Sequence, residues 1–149
     1  MRIAIAGASR AKEIADFVHR HAGEDYMGYV RFDERYVKEK MKKNNYYLVC
    51  MAGRKLAGVA RLSVVELDLA EIRTFAVDES YRGRGIGTRL LKHALALLKE
   101  KKMRKAVART KAGNAAGLAL FLSAGFEPEG YFKEHYRKGV DVIQLGKFL

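Results

Sequence analysis

The chain has 149 residues, 49% hydrophobic and 31% charged, with 29 Lys and Arg against 17 Asp and Glu for a formal net charge of +12. That length suits a single domain, residues 1–149, with a sizeable core, and the ordinary composition excludes a repeat or low-complexity protein. No apolar run approaches the roughly 20 residues that cross a bilayer.

The apolar start, Met1 to Ala6, is too short for a signal peptide and reads as a first strand. Ser9 is placed to cap a helix from Arg10 to about His21 that buries Ile14, Phe17 and Val18. Gly23 to Gly28 is expected to be a loop. A second helix, about Asp33 to Lys43, carries Tyr36, Val37 and Met41 at helical spacing, and Asn44-Asn45 ends it. Lys38, Lys40, Lys42 and Lys43 on this helix account for part of the charge as solvated surface. Tyr46 to Ala52 and Lys55 to Val65 form a hairpin around Gly53-Arg54, with Leu48, Val49, Cys50, Val59 and Leu62 available to the core. Cys50 is the single cysteine and can form no internal disulfide, which points to a reducing, cytoplasmic setting.

Glu71 to Val77 alternates as a strand, and Asp78-Glu79-Ser80 suits a turn. From Ile86 onward Leu90, Leu91, Ala94, Leu95 and Leu98 fall on one helical stripe, which ends in the charged run Lys99 to Lys102. Between strand and helix sits Arg82-Gly83-Arg84-Gly85-Ile86-Gly87-Thr88. Its glycines permit a tight turn and close approach to the backbone. The free amides of the helix's first turn, at the positive end of its dipole, make an anion site. Arg82, Arg84 and Arg89 add charge that suits phosphate, so a diphosphate should bind here. The glycine spacing fits neither a P-loop, which needs a lysine before Thr88, nor a dinucleotide fingerprint.

Lys105 to Thr110 reads as the next strand. Asn114 caps a helix with Leu118, Phe121 and Leu122 on one face, ended by Gly125 and Pro128. Phe126 to Lys133 and Val140 to Lys147 are the last strands, joined around Arg137-Lys138-Gly139. The order β-α-α-β-β-β-α-β-α-β-β argues α/β with a mixed sheet. The apolar last strand, ending Gly146-Lys147-Phe148-Leu149, offers a possible homodimer edge.

Arg82, Gly85 and Gly87 match the pattern Arg/Gln-x-x-Gly-x-Gly/Ala, after a strand ending in Val77-Asp78 and before a long helix. That resembles the coenzyme A pyrophosphate loop of the GNAT N-acetyltransferase superfamily. The element order is also similar over essentially the whole chain. The family's later pattern, Asn-x-x-Ala-x-x-Leu-Tyr-x-x-x-Gly-Phe, is met by Asn114, Gly117, Leu120, Phe121, Gly125 and Phe126. The resemblance implies a mixed sheet of about six to seven strands flanked by about four helices. It implies acetyl-CoA as co-substrate, no metal, and direct acetyl transfer to a primary amine of a peptide, protein or small molecule. Phe75, Ala76 and Val77 would bond the pantetheine arm through main-chain groups as their strand splays from Lys105–Thr110. Gly83, Arg84, Ile86 and Thr88 would complete the phosphate cradle, and Asn114 would bond the arm or cap its helix.

Phe121 stands where many members carry a tyrosine that protonates the leaving thiolate; it can pack on the coenzyme and cannot donate a proton. A thiol of pKa about 8.5 leaves without strong acid help. Tyr131 and Tyr136 are candidate replacements, with substrate contact or packing as the favoured alternative for both. In some branches a glutamate matching Glu71 is the base for the attacking amine. Here Leu67, Leu69 and Ile72 are expected to enclose it, with Glu66 and Asp68 as alternates and pairing with Arg73 as the structural alternative. The segment from Glu129 to Asp141 resembles the hairpin with which protein N-terminal acetyltransferases hold a peptide, with Glu127, Glu129 and Glu134 about its mouth. The bacterial ribosomal-protein branch places a glutamate where this chain has Arg109 and Lys111. A non-catalytic coenzyme A-binding module is the alternative that Phe121 suggests. Nucleic acid is disfavoured as partner, since the lysines are scattered and no helix–turn–helix, zinc-finger or RNP pattern is present. Scarce amides beside abundant Lys, Arg and Glu give a thermophile-like composition.

Overall fold

The computed structural model describes residues 1–22 and 31–149; the loop expected at Gly23 to Gly28 lies outside them. The elements are β1 (Arg2–Ile5), α1 (Ala11–His21), α2 (Glu34–Met41), β2 (Asn45–Ala52), β3 (Lys55–Val64), β4 (Leu69–Val77), α3 (Ile86–Glu100), β5 (Lys105–Lys111), α4 (Ala115–Ser123), β6 (Glu127–Arg137) and β7 (Val140–Phe148). They build one mixed sheet of seven strands in the order β1-β2-β3-β4-β5-β7-β6. Neighbours are antiparallel except β4 and β5. A parallel pair needs a crossover, and α3 supplies it.

The two faces bury different helices. Ile14, Phe17 and Val18 of α1 and Val37 of α2 pack with Tyr47, Val49, Val59 and Ala76 on one face. Leu90, Leu91, Ala94 and Leu98 of α3 and Phe121 of α4 pack with Leu48, Leu62, Ile72, Ala106, Ala108 and Leu145 on the other. Gly58 brings α3 close: a Cβ there would lie 3.3 Å from Ile86 Cγ2 and 3.3 Å from Leu90 Cδ2. Arg61, buried beneath α2, donates from Nη1 to Tyr36 Oη at 2.9 Å, with its guanidinium 5.7 Å from the Tyr36 ring centre. That contact ties the second helix to the sheet.

Four expectations are corrected. Ser9 is not a cap: it lies within a 3-10 turn, Ala8–Arg10, and α1 starts after Arg10 with no side-chain cap bond. Asp33 takes the capping role in α2 instead, accepting from Tyr36 N at 2.9 Å. Leu122 is 48% exposed rather than core-facing, because α4 lays only Phe121 fully against the sheet. The last strand is no dimer edge, since β7 is paired on both sides, by β5 and β6; the open edges belong to β1 and β6. Finally, β6 runs on to Arg137, so the hairpin turns at Lys138-Gly139, with Gly139 at φ +80°.

Two measurements test the packing. Leu90→Ala should lower unfolding free energy by about 2–5 kcal/mol in urea titration, since the side chain is fully buried. Cys50 is 1% exposed, and burial pushes its thiol above the ordinary range. Iodoacetamide should therefore label it at neutral pH only as fast as the fold opens, and urea should accelerate the reaction.

Candidate active site

The site begins where two strands part. β4 and β5 pair from Leu69 with Lys105 to Ile72 with Ala108, and no further. On its other side β4 stays paired to β3 through Phe75, Ala76 and Val77. Between those stretches the register slips: Leu62 faces Ile72 and Ala60 faces Phe75, so Arg73 and Thr74 both stand opposite Arg61. This is a bulge, and bulges sharpen strand twist. It turns the end of β4 away from β5 and leaves one main-chain edge of Phe75–Val77 facing an opening, as the expected splay requires.

The glycine-rich loop lies at the end of that opening. Asp78 starts it by accepting from Ser80 N and Ser80 Oγ, each at 2.8 Å, which hold its carboxyl below the ordinary range. Gly83 and Gly85 both have φ +75°, a region that side chains disfavour, and neither has a heavy atom within 4 Å of where a Cβ would stand. Gly85 is the N-cap of α3, and the first amide to bond back along the helix is that of Arg89, to Gly85 O at 3.0 Å. The amides of Ile86, Gly87 and Thr88 precede it and have no helical acceptor. With the helix dipole they make a cradle for an anion. Arg82 and Arg84 are exposed beside it, the second with its guanidinium 5.5 Å from the Tyr81 ring centre. Arg89 turns away and donates to Met1 O at 3.4 Å, so the charge at the loop comes from Arg82 and Arg84.

Asn114 follows β5, the strand on the far side of the opening. It is the N-cap of α4, and its Oδ1 accepts from Gly117 N at 3.0 Å. A Cβ on residue 117 would lie 2.5 Å from Asn114 Nδ2, which explains the glycine. Phe121 is 4% exposed and sits between Phe75 and Phe126, with ring centres 5.9 and 5.1 Å away. It supports the wall of the opening through Phe75.

Glu71 lies on the α1–α2 face of the sheet, in register with Ser63 and Val107. Its carboxylate takes Arg73 Nη2 at 3.0 Å, and its side chain is 14% exposed. Leu67, expected to enclose it, is 97% exposed and does not. Asp68 is taken up by Arg104 at 3.2 Å and Glu66 is exposed, so neither accompanies Glu71.

Two residues past Val107 on the same face is Arg109, whose place in the site periodicity did not disclose. Its Nε donates to Gln144 Oε1 at 3.0 Å and its Nη1 to Tyr136 Oη at 3.3 Å. Its guanidinium lies 5.2 Å from the Phe132 ring centre. The Tyr136 phenol, and secondarily the Glu71 carboxylate, favour its charged form against burial. Gln144 Nε2 donates to Glu129 Oε1 at 2.8 Å, and Glu129 Oε2 takes Lys105 Nζ at 2.7 Å. Burial alone would raise the Glu129 carboxyl, but Lys105 and Gln144 outweigh it and hold it low.

Tyr136 reaches Arg109 through a wide bulge: Phe132 faces Val142 and Arg137 faces Val140, so residues 133–136 stand opposite Asp141. Asp141 fixes that bulge, accepting from Tyr131 Oη and from the amide of Glu134, which has φ +45°. Tyr131 is thereby a hairpin strut. Glu134 in turn accepts from Gly139 N at 2.9 Å. Among the described residues no three His, Cys, Asp or Glu side chains are grouped to hold a metal ion.

The parted strands, the free amides at the start of α3 and the exposed Arg82 and Arg84 beside them suit an extended, phosphate-bearing molecule such as an acyl-coenzyme A. The chain belongs to the acetyltransferase (GNAT) family, whose model matches residues 10–126. It is 34% identical over 112 residues to the N-alpha-acetyltransferase RimI of Mycobacterium tuberculosis, covering 72% of this chain and 69% of that one. It is 31% identical over 103 residues to the [ribosomal protein bS18]-alanine N-acetyltransferase of Escherichia coli strain K12, covering 69% and 63%. Among solved structures, the ribosomal-protein-S18-alanine N-acetyltransferase of Escherichia coli shares the fold at TM-score 0.84 and 22% identity, over 99% of this chain and 92% of that one. The Bacillus subtilis acetyltransferase in complex with CoA does so at TM-score 0.80 and 22% identity, over 99% and 98%. The chain is accordingly an N-acetyltransferase that uses acetyl-CoA as co-substrate.

Replacing Arg82 and Arg84 together with alanine should weaken acetyl-CoA binding about tenfold, given charge-assisted bonds to phosphate. Calorimetry at rising salt should show the wild-type advantage shrinking.

Proposed function

We propose that the protein acetylates the α-amino group at the N-terminus of a peptide or protein, with Glu71 as general base. The observation that carries this reading is the floor beside Glu71. Two sheet strands, β5 and β7, continue the sheet from it on the face that α1 and α2 cover over β2–β4, and β6 borders them, with Tyr136 bonded to Arg109. Such a stretch of sheet suits an extended main chain better than a compact small amine. The names of two similar proteins, an N-alpha-acetyltransferase and a [ribosomal protein bS18]-alanine N-acetyltransferase, support the same choice. The chain covers 60% of the length of a putative [ribosomal protein bS18]-alanine N-acetyltransferase of Bacillus subtilis, so the particular acceptor of such proteins is not carried over.

Acetyl-CoA supplies the activated acetyl group. Ile86, Gly87 and Thr88 amides with Arg82, Gly83, Arg84 and Gly85 hold its diphosphate. The free edge of Phe75–Val77 and Asn114 align its arm so that the thioester reaches the point where β4 and β5 part. An α-amino group, of pKa about 7.7–8.0, gives up its proton more readily than a lysine amine of about 10.4. With that proton lost to solvent, the neutral nitrogen bonds to the acetyl carbon, and Glu71 accepts the second N–H proton, directly or through water, as it does so. The carbon–sulfur bond then breaks, and coenzyme A departs as a thiolate without needing a tyrosine at position 121. Tyr136, on Arg109, lines the acceptor side and can return a proton to the thiolate. The free thiol of Cys50 fits a cytoplasmic setting.

Glu71→Gln should lower kcat by about 10²–10⁴-fold while leaving the acetyl-CoA dissociation constant unchanged. Thiol release with a panel of N-terminal peptides, and calorimetry beside it, read the two quantities. Tight coenzyme binding with no turnover on any amine would instead make the protein a binding module.

A further inference from the structure

Among the described residues around Glu71, cations outnumber carboxylates. On the described floor the carboxylates are Glu71 and Glu129, and each is already paired, with Arg73 at 3.0 Å and Lys105 at 2.7 Å. Arg109 stands between them and, though it feels the Glu71 charge, is hydrogen-bonded to neutral groups only: the amide oxygen of Gln144 and the hydroxyl of Tyr136. A guanidinium has five N–H donors in one plane. Two are committed here, and three on the Nη1–Nη2 side have no partner among the described residues. The group is also pre-set, since Gln144 is itself held by Glu129 and the Phe132 ring backs the cation. It need not be ordered again when a ligand arrives, which raises its value as a recognition element.

A cation fixed in this way beside a general base has a consequence for the acceptor. An acceptor bringing a second ammonium near its reacting amine meets Arg73 and Arg109, with no unpaired carboxylate among the described residues of the floor to receive it. One bringing a carboxylate completes Arg109 with a bidentate, charge-assisted pair. We propose that Arg109 selects acceptors with a carboxylate next to the reacting amine, and that for this enzyme the source is an Asp or Glu side chain in the first residues of a peptide. This rests on the N-terminal reading of the site, since it places a peptide along this stretch of sheet.

The test is a panel of otherwise identical peptides starting Ser-Glu, Ser-Gln and Ser-Lys, with free amino acids and spermidine as further arms, using wild type, Arg109→Gln, Arg109→Lys and Arg109→Glu. The readout is the ratio of kcat/KM between acceptors, which is insensitive to a general loss of rate. Wild type should favour Ser-Glu over Ser-Gln about tenfold, the scale of one charge-assisted bond, with Ser-Lys slowest. Arg109→Gln should bring the Ser-Glu to Ser-Gln ratio near one, Arg109→Lys should keep part of it, and Arg109→Glu should put Ser-Lys first. A ratio unmoved by Arg109→Gln, or a wild type that treats the three peptides alike, overturns the inference while leaving N-terminal acetylation standing. Transfer to free amino acids above all peptides would assign the carboxylate to the acceptor's own backbone and overturn the peptide source. Transfer to spermidine alone, or to nothing, overturns the N-terminal reading itself.

Discussion

The site depends on a failure of pairing in the middle of a sheet. Buried main-chain groups are almost always hydrogen-bonded, and a central strand such as β4 would ordinarily be paired along both edges. It is not, because the extra residue at Arg73-Thr74 over-twists it just past Ile72. Thr74 sits fully buried at the bulge with no hydrogen-bond partner for its Oγ1 among the described residues. The bulge also reverses which residues face which helices: Ile72 packs toward α3, yet so does Phe75, three positions on. Without it, Phe75 would point to the acceptor face and the opening would close into a continuous ladder.

That one bulge couples the two halves of the chemistry. Upstream of it, Glu71 is still held in register with Ser63 and Val107, so its carboxylate stands on a rigid, fully paired stretch. Downstream, the free edge of Phe75–Val77 leads straight to the glycine loop and the start of α3. In the proposed reading, a ligand aligned on the free edge and anchored at the loop would have its far end brought towards Glu71 by the run of the strand. Gly58 sets the remaining dimension, since it fixes how closely the first turn of α3 approaches β3.

The parts of this arrangement that were legible in the sequence are those with a strong local cause. The stripe of Ile86, Leu90, Leu91, Ala94 and Leu98 is buried as its spacing demands, and Gly83 and Gly85 take the positive φ that only glycine adopts freely. Asn114 caps its helix, and the splay of β4 from β5 follows the family resemblance. What escaped was set by tertiary context. Ser9 and Leu122 satisfy local rules that packing overrode, and Leu67 sits on a turn that carries it into solvent. A last strand that is apolar looks like an edge until β6 is seen to fold back beside it. Arg109 follows Ala106, Val107 and Ala108, and a charged residue at the end of an apolar strand was the available signal.

Arg109 also shows why a single carboxylate on this floor is not isolated. Glu71 has Arg73 against it and Arg109 on the next strand, and a guanidinium never releases its proton near neutral pH. Both cations lie on the acceptor side of the sheet with Glu71, so a ligand there meets a surface of mixed charge rather than one carboxylate standing alone. The bulge at residues 133–136, pinned by Asp141, is what holds Tyr136 against Arg109 and keeps that cation in place.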